Sequence, residues 1–297
     1  MKKEQLLTFL GPSLAVAPEA VLLQKQERNR YTLETLQLTL NEIETVPAYF
    51  AYPNTGNGPY PLVIFNHSHG GNFEVGKSEL IKSSGYLQQE SYLDTLIEAG
   101  YAVGAIDMWG FEERQGKKES ELFKEFLLKG HTLWGLRLYD DQQFLTYLSS
   151  RAEVNPDKDK VATIGMSMGA MMSWWLAAID DRVKVIVDIA GQAEYEALIK
   201  TRGLDHHNFY YYIPGILEKH TTADIQKMIA PRPRLSLVGR NDPLCPLEGV
   251  LHLNQELQSI YEKFDRSNNW QCKLVTGGHQ ETKEMRELWK QFLEKHL

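Results

Sequence analysis

Cysteine is scarce in this sequence, in which Cys245 and Cys272 are the only two thiols. Two cysteines give no disulfide framework, so a small extracellular fold held together by several bridges is excluded. Excess positive charge is also missing, because 32 Lys and Arg residues stand against 39 Asp and Glu residues, for a formal net charge of −7. Nucleic acid and anionic membranes are therefore not expected as partners.

One stretch, residues 161–179, lacks charged residues over the length of a membrane span. Its β-branched residues lie in the first part, and Gly165, Ser167 and Gly169 interrupt the remainder. A buried strand that turns into a buried helix explains this pattern better than a membrane span does. We therefore predict no transmembrane helix.

The start of the chain carries a weak signal-peptide pattern. Glu4 lies where such a peptide would be basic, and Gly11-Pro12 interrupts the short apolar run that follows. The two cysteines also fit a reducing compartment. We expect a cytoplasmic protein and keep secretion as the less favoured alternative.

The hydrophobic pattern changes after the first sixty residues. The first thirty residues are predicted to be helical and polar. Residues 31–40 alternate between apolar and polar side chains, and with residues 46–52 they predict an antiparallel pair of strands. We treat residues 1–45 as an N-terminal extension that includes the first of these strands.

Beyond residue 60, short apolar runs alternate with helical patterns. The predicted buried strands are residues 62–65, 101–106, 161–164, 183–189 and 235–238, with a weaker one at 273–276. Such alternation predicts an α/β protein with a mostly parallel sheet covered on both faces, in one domain over residues 1–297. Functional loops are expected at the carboxyl ends of the strands. Residues 192–224 are too long for a simple connection and predict a lid-like or cap insertion.

The segment Gly165-Met166-Ser167-Met168-Gly169 is a G-x-S-x-G motif between a predicted strand and a predicted helix. This context distinguishes a nucleophile elbow from an ordinary Gly/Ser turn. The flanking glycines leave room for a very tight turn that exposes the Ser167 hydroxyl at the start of the helix. Ser167 is the predicted nucleophile.

A serine nucleophile needs a histidine base and a carboxylate that orients it, and on this fold they follow the serine in the order acid, then histidine. Asp242 lies in a loop directly after a strand, whereas the alternative, Asp188, lies within a strand. Asp242 is favoured because a loop side chain can reach across to the serine. His279 is the predicted base because it follows Gly277-Gly278, between the last strand and the last helix.

An oxyanion hole needs two backbone N–H groups. The residue after the nucleophile, Met168, supplies the first. His69 is predicted to supply the second, because residues 67–71 (HSHGG) are similar to the HGGG-type loop. Metal binding by His67 and His69 is the alternative, but no third ligand can be assigned from the sequence.

Several motifs together resemble one branch of a known superfamily. They are residues 65–71 (FNHSHGG), 101–110 (YAVGAIDMWG), 165–169 (GMSMG), 239–246 (GRNDPLCP) and 277–279 (GGH). From about residue 45 onwards the sequence resembles the dienelactone hydrolase-like branch of the α/β-hydrolases, and within it the bacterial acetyl-xylan-esterase-like members. Residues 205–217 are similar to an insertion that approaches the pocket in those relatives. Dienelactone hydrolase itself has a cysteine as nucleophile, so Ser167 favours a serine esterase over dienelactone chemistry.

The expected function is hydrolysis of a small-molecule carboxylic ester through an acyl-enzyme, as in a carboxylesterase or deacetylase, without cofactor or metal. A peptidase or amidase with the same triad is the main alternative, and a non-catalytic binding protein is a weaker one. Trp109, Tyr210, Tyr211 and Tyr212 are candidate substrate-binding residues, with simple packing as the competing interpretation. The sequence carries no signal of an oligomeric state.

Overall fold

The computed structural model describes residues 3–56, 58–155, 157 and 160–297. The strands are β1 (Ala15–Glu27), β2 (Tyr31–Asn41), β3 (Thr45–Pro53), β4 (Leu62–Asn66), β5 (Ala102–Ile106), β6 (Val161–Met166), β7 (Val185–Ile189), β8 (Arg234–Gly239) and β9 (Trp270–Val275). The helices are α1 (Lys3–Leu10), α2 (Tyr92–Glu98), α3 (Glu119–Leu128), α4 (Leu133–Ser149), α5 (Met168–Ile179), α6 (Tyr195–Thr201), α7 (Thr222–Lys227), α8 (Leu247–Lys263) and α9 (Lys283–His296).

The strands form one nine-stranded sheet in the order β1-β2-β3-β5-β4-β6-β7-β8-β9. The first three strands and β5 pair antiparallel, and every pairing from β5 to β9 is parallel. Five of the inner strands (β4 to β8) are buried over their whole length, which explains their largely apolar sequences. The predicted α/β class with a mostly parallel sheet is confirmed.

Apolar side chains fill the space on both faces of the sheet. The cluster on one face includes Trp134 of α4 and Trp174 of α5. The cluster on the other face includes Tyr92 of α2 and Trp289 of α9, whose rings stack with their centroids 5.4 Å apart. Helices therefore cover both sides of the parallel strands, as the uninterrupted apolar runs require.

The predicted helical character of the first thirty residues is wrong except at Lys3–Leu10. Residues 15–27 form β1, an edge strand paired with β2 from Ala15 opposite Asn41 to Glu27 opposite Thr32. Most side chains of β1 are exposed, so its sequence lacks the apolar alternation of a half-buried strand. Hydrogen bonds to β2 determine its conformation, and these leave no local signature in the sequence.

The uncharged stretch at residues 161–179 is the predicted strand and helix, namely β6 and α5. Within the described ranges, no helix combines the length and the apolar character that a membrane crossing needs.

Candidate active site

Ser167 occupies the tight turn between β6 and α5, with φ 57° and ψ −120°. This backbone conformation is strained for any residue with a side chain. The two flanking glycines are needed because a Cβ atom on Gly169 would lie 2.0 Å from the carbonyl oxygen of Asn66, and one on Gly165 would lie 2.4 Å from the carbonyl carbon of Gly169. The backbone N–H of Ser167 donates to Ile189 O at 2.8 Å, which ties the turn to β7.

His279 and Asp242 form a hydrogen-bonded chain with Ser167. His279 Nε2 lies 2.8 Å from Ser167 Oγ, and His279 Nδ1 lies 2.8 Å from Asp242 Oδ2. The Asp242 side chain is fully buried, and the other carboxylate oxygen accepts the N–H of Leu244 at 2.9 Å. The imidazole is 21% exposed and lines the pocket over Ser167.

The loops that carry Asp242 and His279 meet because of Gly239, at the end of β8. A Cβ atom at this position would lie only 2.2 Å from the carbonyl oxygen of Gly278. Two backbone hydrogen bonds join the loops, from Arg240 N–H to Val275 O at 2.8 Å and from Asn241 N–H to Gly277 O at 2.9 Å. The parallel register of β8 and β9 thus brings together residues that are 37 positions apart.

Asp188, the alternative acid, is fully buried within β7 and has other partners. Its carboxylate accepts hydrogen bonds from Arg234 Nε at 2.8 Å, Ser236 Oγ at 2.7 Å and Gln192 Nε2 at 2.9 Å. Its ion pair with Arg234 belongs to the core between neighbouring strands.

His69 and Met168, the predicted oxyanion residues, lie at the carboxyl ends of two neighbouring strands. Met168 is the first residue of α5, where a backbone N–H has no partner within the helix. His69 follows β4, and two backbone contacts shape its loop: Ser68 N–H donates to Glu79 Oε2 at 2.7 Å, and Gly71 N–H donates to His69 Nδ1 at 3.1 Å.

His67 is a structural residue of the same loop. Its Nδ1 lies 2.8 Å from Ser68 O, and its Nε2 accepts the N–H of Met108 at 3.1 Å. Burial lowers the pKa of His67 to about 3, so the ring is neutral at ordinary pH. Because both ring nitrogens have protein partners, metal binding by His67 and His69 is not favoured.

One group of carboxylates has oxygens close enough to share a cation, and it lies at Asp107, Glu112 and Glu113. Lys77 Nζ forms ion pairs with all three carboxylates, at 2.9 Å, 3.0 Å and 2.6 Å respectively. We therefore interpret this group as an ion-pair cluster of the fold.

A cavity of about 370 Å³ opens over Ser167. Its lining residues are His69, Gly70, Gly71, Tyr86, Ser167, His206, His207, Asn208, Tyr210, Leu244 and His279. Of the four candidate substrate-binding aromatics, only Tyr210 is among them.

The other three aromatics have different environments. Trp109 is buried, with its ring 5.1 Å from that of Phe126 and under the guanidinium of Arg114. Tyr211 is buried and donates its hydroxyl to Ala193 O at 2.7 Å. Tyr212 lines two other surface depressions. Tyr210 and Tyr211 belong to a single 3₁₀ turn that Tyr212 follows, and the three consecutive rings point in different directions.

Tyr86, His206, His207 and Asn208 also line the pocket, although they were not among the predicted site residues. The last three belong to the segment 205–217, whose similarity to a pocket-approaching insertion was the available signal. His207 Nε2–H donates to Leu244 O at 2.8 Å and so joins this segment to the loop of Asp242. No sequence motif pointed to Tyr86, whose hydroxyl donates to Glu79 Oε1 at 2.5 Å in the folded protein.

Comparison with known proteins identifies the family. Residues 45–291 match the model of the X-Pro dipeptidyl-peptidase (S15 family). The Bacillus subtilis (strain 168) protein named "Putative hydrolase YtaP" is 46% identical over 297 residues, which cover 100% of this chain and 99% of that protein. Esterase YjfP of Escherichia coli (strain K12) is 22% identical over 246 residues, covering 80% of this chain and 90% of that protein.

A solved structure shows the same fold. The glucuronoyl esterase from Solibacter usitatus superposes with a TM-score of 0.74 at 13% identity, over 99% of this chain and 92% of that one. The predicted resemblance to the α/β-hydrolases is therefore confirmed. Because the family model covers most of the sequence, this chain belongs to the X-Pro dipeptidyl-peptidase (S15) family and has the α/β-hydrolase fold.

Proposed function

We propose that this protein is a serine hydrolase that cleaves small-molecule carboxylic esters through an acyl-enzyme. The observation that carries the proposal is the chain of two 2.8 Å contacts from Ser167 through His279 to Asp242, at the floor of an open pocket. A hydroxyl within hydrogen-bonding distance of an oriented imidazole is the arrangement that makes serine nucleophilic.

In the proposed mechanism, Ser167 Oγ attacks the ester carbonyl while His279 Nε2 takes its proton. Asp242 accepts the Nδ1–H of the imidazole and stabilises the imidazolium that forms. The backbone N–H groups of Met168 and His69 donate to the oxyanion. The imidazolium then protonates the leaving alcohol, and water releases the acid from the acyl-enzyme by the reverse sequence of proton transfers.

The family description also makes an X-Pro dipeptidyl-peptidase a candidate. Such an enzyme must bind the free α-ammonium group of its substrate close to the scissile bond, and an acidic side chain is the natural partner for that charge. Among the described residues that line the pocket over Ser167, none is Asp or Glu. An uncharged ester fits these walls better, and the name of Esterase YjfP supports the same activity.

One wall of the pocket is formed by His206, His207, Asn208 and Tyr210, which supports a role for the insertion at 192–224 as a cap over the substrate. The two cysteines are free, and Cys245 is buried, as we expect of a protein that works in the cytoplasm.

Hydrolysis of p-nitrophenyl acetate by a Ser167→Ala variant tests the nucleophile. We expect turnover to fall by at least about 10³-fold and labelling by a fluorophosphonate probe to disappear. Ser150→Ala is a matched control, because Ser150 directly follows α4 and its hydroxyl donates to Tyr147 O. Activity retained by Ser167→Ala would remove this residue from the mechanism.

A substrate panel separates esterase from peptidase. The wild-type protein would be assayed on acetyl, butyryl and longer p-nitrophenyl esters and on Gly-Pro-p-nitroanilide. We expect kcat/KM for the best ester to exceed that for the anilide by at least about 10²-fold, because the anilide's ammonium would lack a partner in the pocket. Faster release from the anilide would establish the peptidase instead.

A further inference from the structure

Arg137 is a buried cation in the wall behind the pocket. It lies on α4 and is 1% exposed. Its Nη2 is 3.0 Å from Glu119 Oε2 and donates to Trp109 O at 2.8 Å. The mechanism above uses neither Arg137 nor Glu119, although both lie next to its proposed oxyanion residues.

Glu119 connects this arginine to the imidazole of His69. Gly71 N–H donates to His69 Nδ1, and His69 Nε2 lies 3.2 Å from Glu119 Oε2 and 2.8 Å from the side-chain amide of Asn208. A ring that accepts at Nδ1 carries its proton on Nε2, where the Glu119 carboxylate can accept it. The ring also stacks on Tyr210, with centroids 5.5 Å apart and planes 22° apart. The imidazole is therefore held at both nitrogens and on one face.

The other side of the guanidinium contacts Met168, the other predicted oxyanion residue. Arg137 Nη1 lies 3.3 Å from Met168 Sδ. One side chain thus touches Met168 directly and reaches His69 through a single carboxylate. These are the two residues whose backbone N–H groups the proposed mechanism directs at the oxyanion.

Stability alone does not explain a buried ion pair in this position. Desolvating two charges is costly, and apolar residues of similar volume are often as stabilising. Burial lowers the pKa of Arg137, although the nearby Glu119 carboxylate opposes this effect. A guanidinium does, however, offer a rigid planar fork, which can hold two groups in a constant relative geometry.

We propose that the Arg137–Glu119 ion pair positions the two halves of the oxyanion hole relative to each other, so that Arg137 and Glu119 are positioning residues for the transition state. This inference rests on the proposed esterase function. It assigns the His69 imidazole a mechanical role, in which the fixed ring holds the loop that presents the His69 N–H.

Steady-state kinetics of Glu119→Gln test the proposal. The amide preserves the shape of the carboxylate but carries no charge. It therefore cannot accept charge-assisted hydrogen bonds from both Arg137 and His69. We expect kcat on p-nitrophenyl acetate to fall by about 10-fold to 10²-fold, because small misplacements of catalytic groups have effects of this size. KM should change by less than about 2-fold, because ground-state binding does not depend on the oxyanion hole.

Binding of a transition-state analogue distinguishes a positioning role from a purely structural one. An alkyl trifluoromethyl ketone adds to Ser167 and forms a tetrahedral oxyanion, whereas the matching methyl amide only occupies the pocket. In Glu119→Gln, affinity for the ketone should fall by the same factor as kcat/KM, and affinity for the amide should stay constant. Equal losses for both ligands would overturn the proposal.

The double variant Glu119→Gln/Arg137→Met separates positioning from stability. It leaves no unpaired charge in the core, so its unfolding midpoint in urea should recover towards that of the wild type while kcat stays low. Recovery of kcat together with stability would show that the pair is only structural. This outcome is distinct from failure of the proposed function, which would appear as activity retained by Ser167→Ala.

Glu34→Gln is the matched control. Glu34 on β2 forms a two-contact ion pair with Arg151, at 2.7 Å and 3.1 Å, in the antiparallel part of the sheet. We expect this variant to lose stability and to keep the kcat and ketone affinity of the wild type. Losses like those of Glu119→Gln would mean that kcat follows general stability, which contradicts a positioning role.

Discussion

The parallel and antiparallel halves of the sheet differ in what they contribute to the candidate site. In the parallel half, β4, β6, β8 and β9 each end directly before a loop that contributes to the candidate site. In the antiparallel half, β1 to β3 contribute no residue to the lining of the pocket over Ser167. Both halves have core packing and buried ion pairs, so burial alone does not distinguish them.

Strand polarity explains the difference. Parallel neighbours present their carboxyl ends at one edge of the sheet, so loops far apart in sequence meet there. Antiparallel neighbours alternate in direction, and their connections here are short turns. Substitutions near the carboxyl ends of the parallel strands should therefore lower activity. Substitutions in the antiparallel strands should lower only the stability of the protein.

Replacement of the proposed acid should give the largest effect in the parallel half. In Asp242→Asn the amide can donate to His279 Nδ1, which leaves the proton on Nε2, where it cannot accept from Ser167. We expect kcat on p-nitrophenyl acetate to fall by about 10³-fold to 10⁴-fold.

Asp188→Asn is the companion measurement. It should lower stability, because it weakens a buried ion pair, but leave kcat of the folded protein unchanged. If Asp188→Asn rather than Asp242→Asn abolished turnover, the proposed acid would be wrong.

The turn that carries the proposed nucleophile should be very sensitive to a change of backbone conformation. Alanine normally favours a helix over glycine by about 1 kcal/mol. In Gly169→Ala, however, the new Cβ would lie 2.0 Å from Asn66 O and 2.8 Å from His67 O, and backbone atoms cannot move aside easily. We expect a loss of about 3 kcal/mol in urea unfolding.

Gly85→Ala serves for comparison, because nothing lies within 4 Å of a Cβ at that position. It should leave the free energy of unfolding within about 0.5 kcal/mol of the wild type. Similar stability of the two variants would contradict the steric account of the turn.

Acidification should destabilise the folded protein through His67, which lies in the loop after β4 in the parallel half. Its pKa is about 3 in the folded state and about 6.5 in the unfolded chain, so the unfolded state binds the extra proton between these values. The stability that a neutral His67 contributes is present above about pH 6.5 and is lost as the pH falls towards 3. From pH 7 to pH 5 this amounts to about 2 kcal/mol.

Urea unfolding at both pH values, on the wild type and on His67→Gln, measures that contribution. The wild type should lose about 2 kcal/mol more than the variant over this interval. Identical pH dependence of the two proteins would mean that His67 has the same pKa in the folded and in the unfolded state.

Substitution on the outer strand should have the smallest effect. Val21 of β1 is 61% exposed, and Val21→Thr should change the free energy of unfolding by less than about 0.5 kcal/mol and leave kcat unchanged. The same exchange at the fully buried Val187 of β7 places a hydroxyl in the core and should cost about 1–3 kcal/mol. A large loss at Val21 would indicate that β1 is covered in solution, for instance by a second molecule.

Prediction from the sequence succeeded where the determining interactions are local. The turn at Ser167 could be recognised because its glycines and its flanking strand and helix are contiguous. The inner strands could be recognised because burial on both faces leaves continuous apolar runs. Strand β1 was missed because it has one paired edge and little buried surface.

The pocket shows the same limit. The sequence does not distinguish Tyr210, Tyr211 and Tyr212, yet of the three only Tyr210 lines the pocket over Ser167, because the direction of each ring depends on the packing of the insertion. No motif or spacing in the sequence pointed to Glu119 and Arg137. Their relation to His69 and Met168 exists only after α3 and α4 pack behind the pocket.

Short stretches of sequence were enough to predict the tight turn at Ser167, the alternation of strands and helices, and the order of Ser167, Asp242 and His279 along the chain. These features depend on steric and hydrophobic preferences of neighbouring residues. The folded sheet was needed to show that Asp242 rather than Asp188 meets His279, and that Arg137 contacts Met168 directly and His69 through Glu119. Hydrogen bonds and ion pairs act over a few ångströms, and the parallel sheet determines which distant residues come that close.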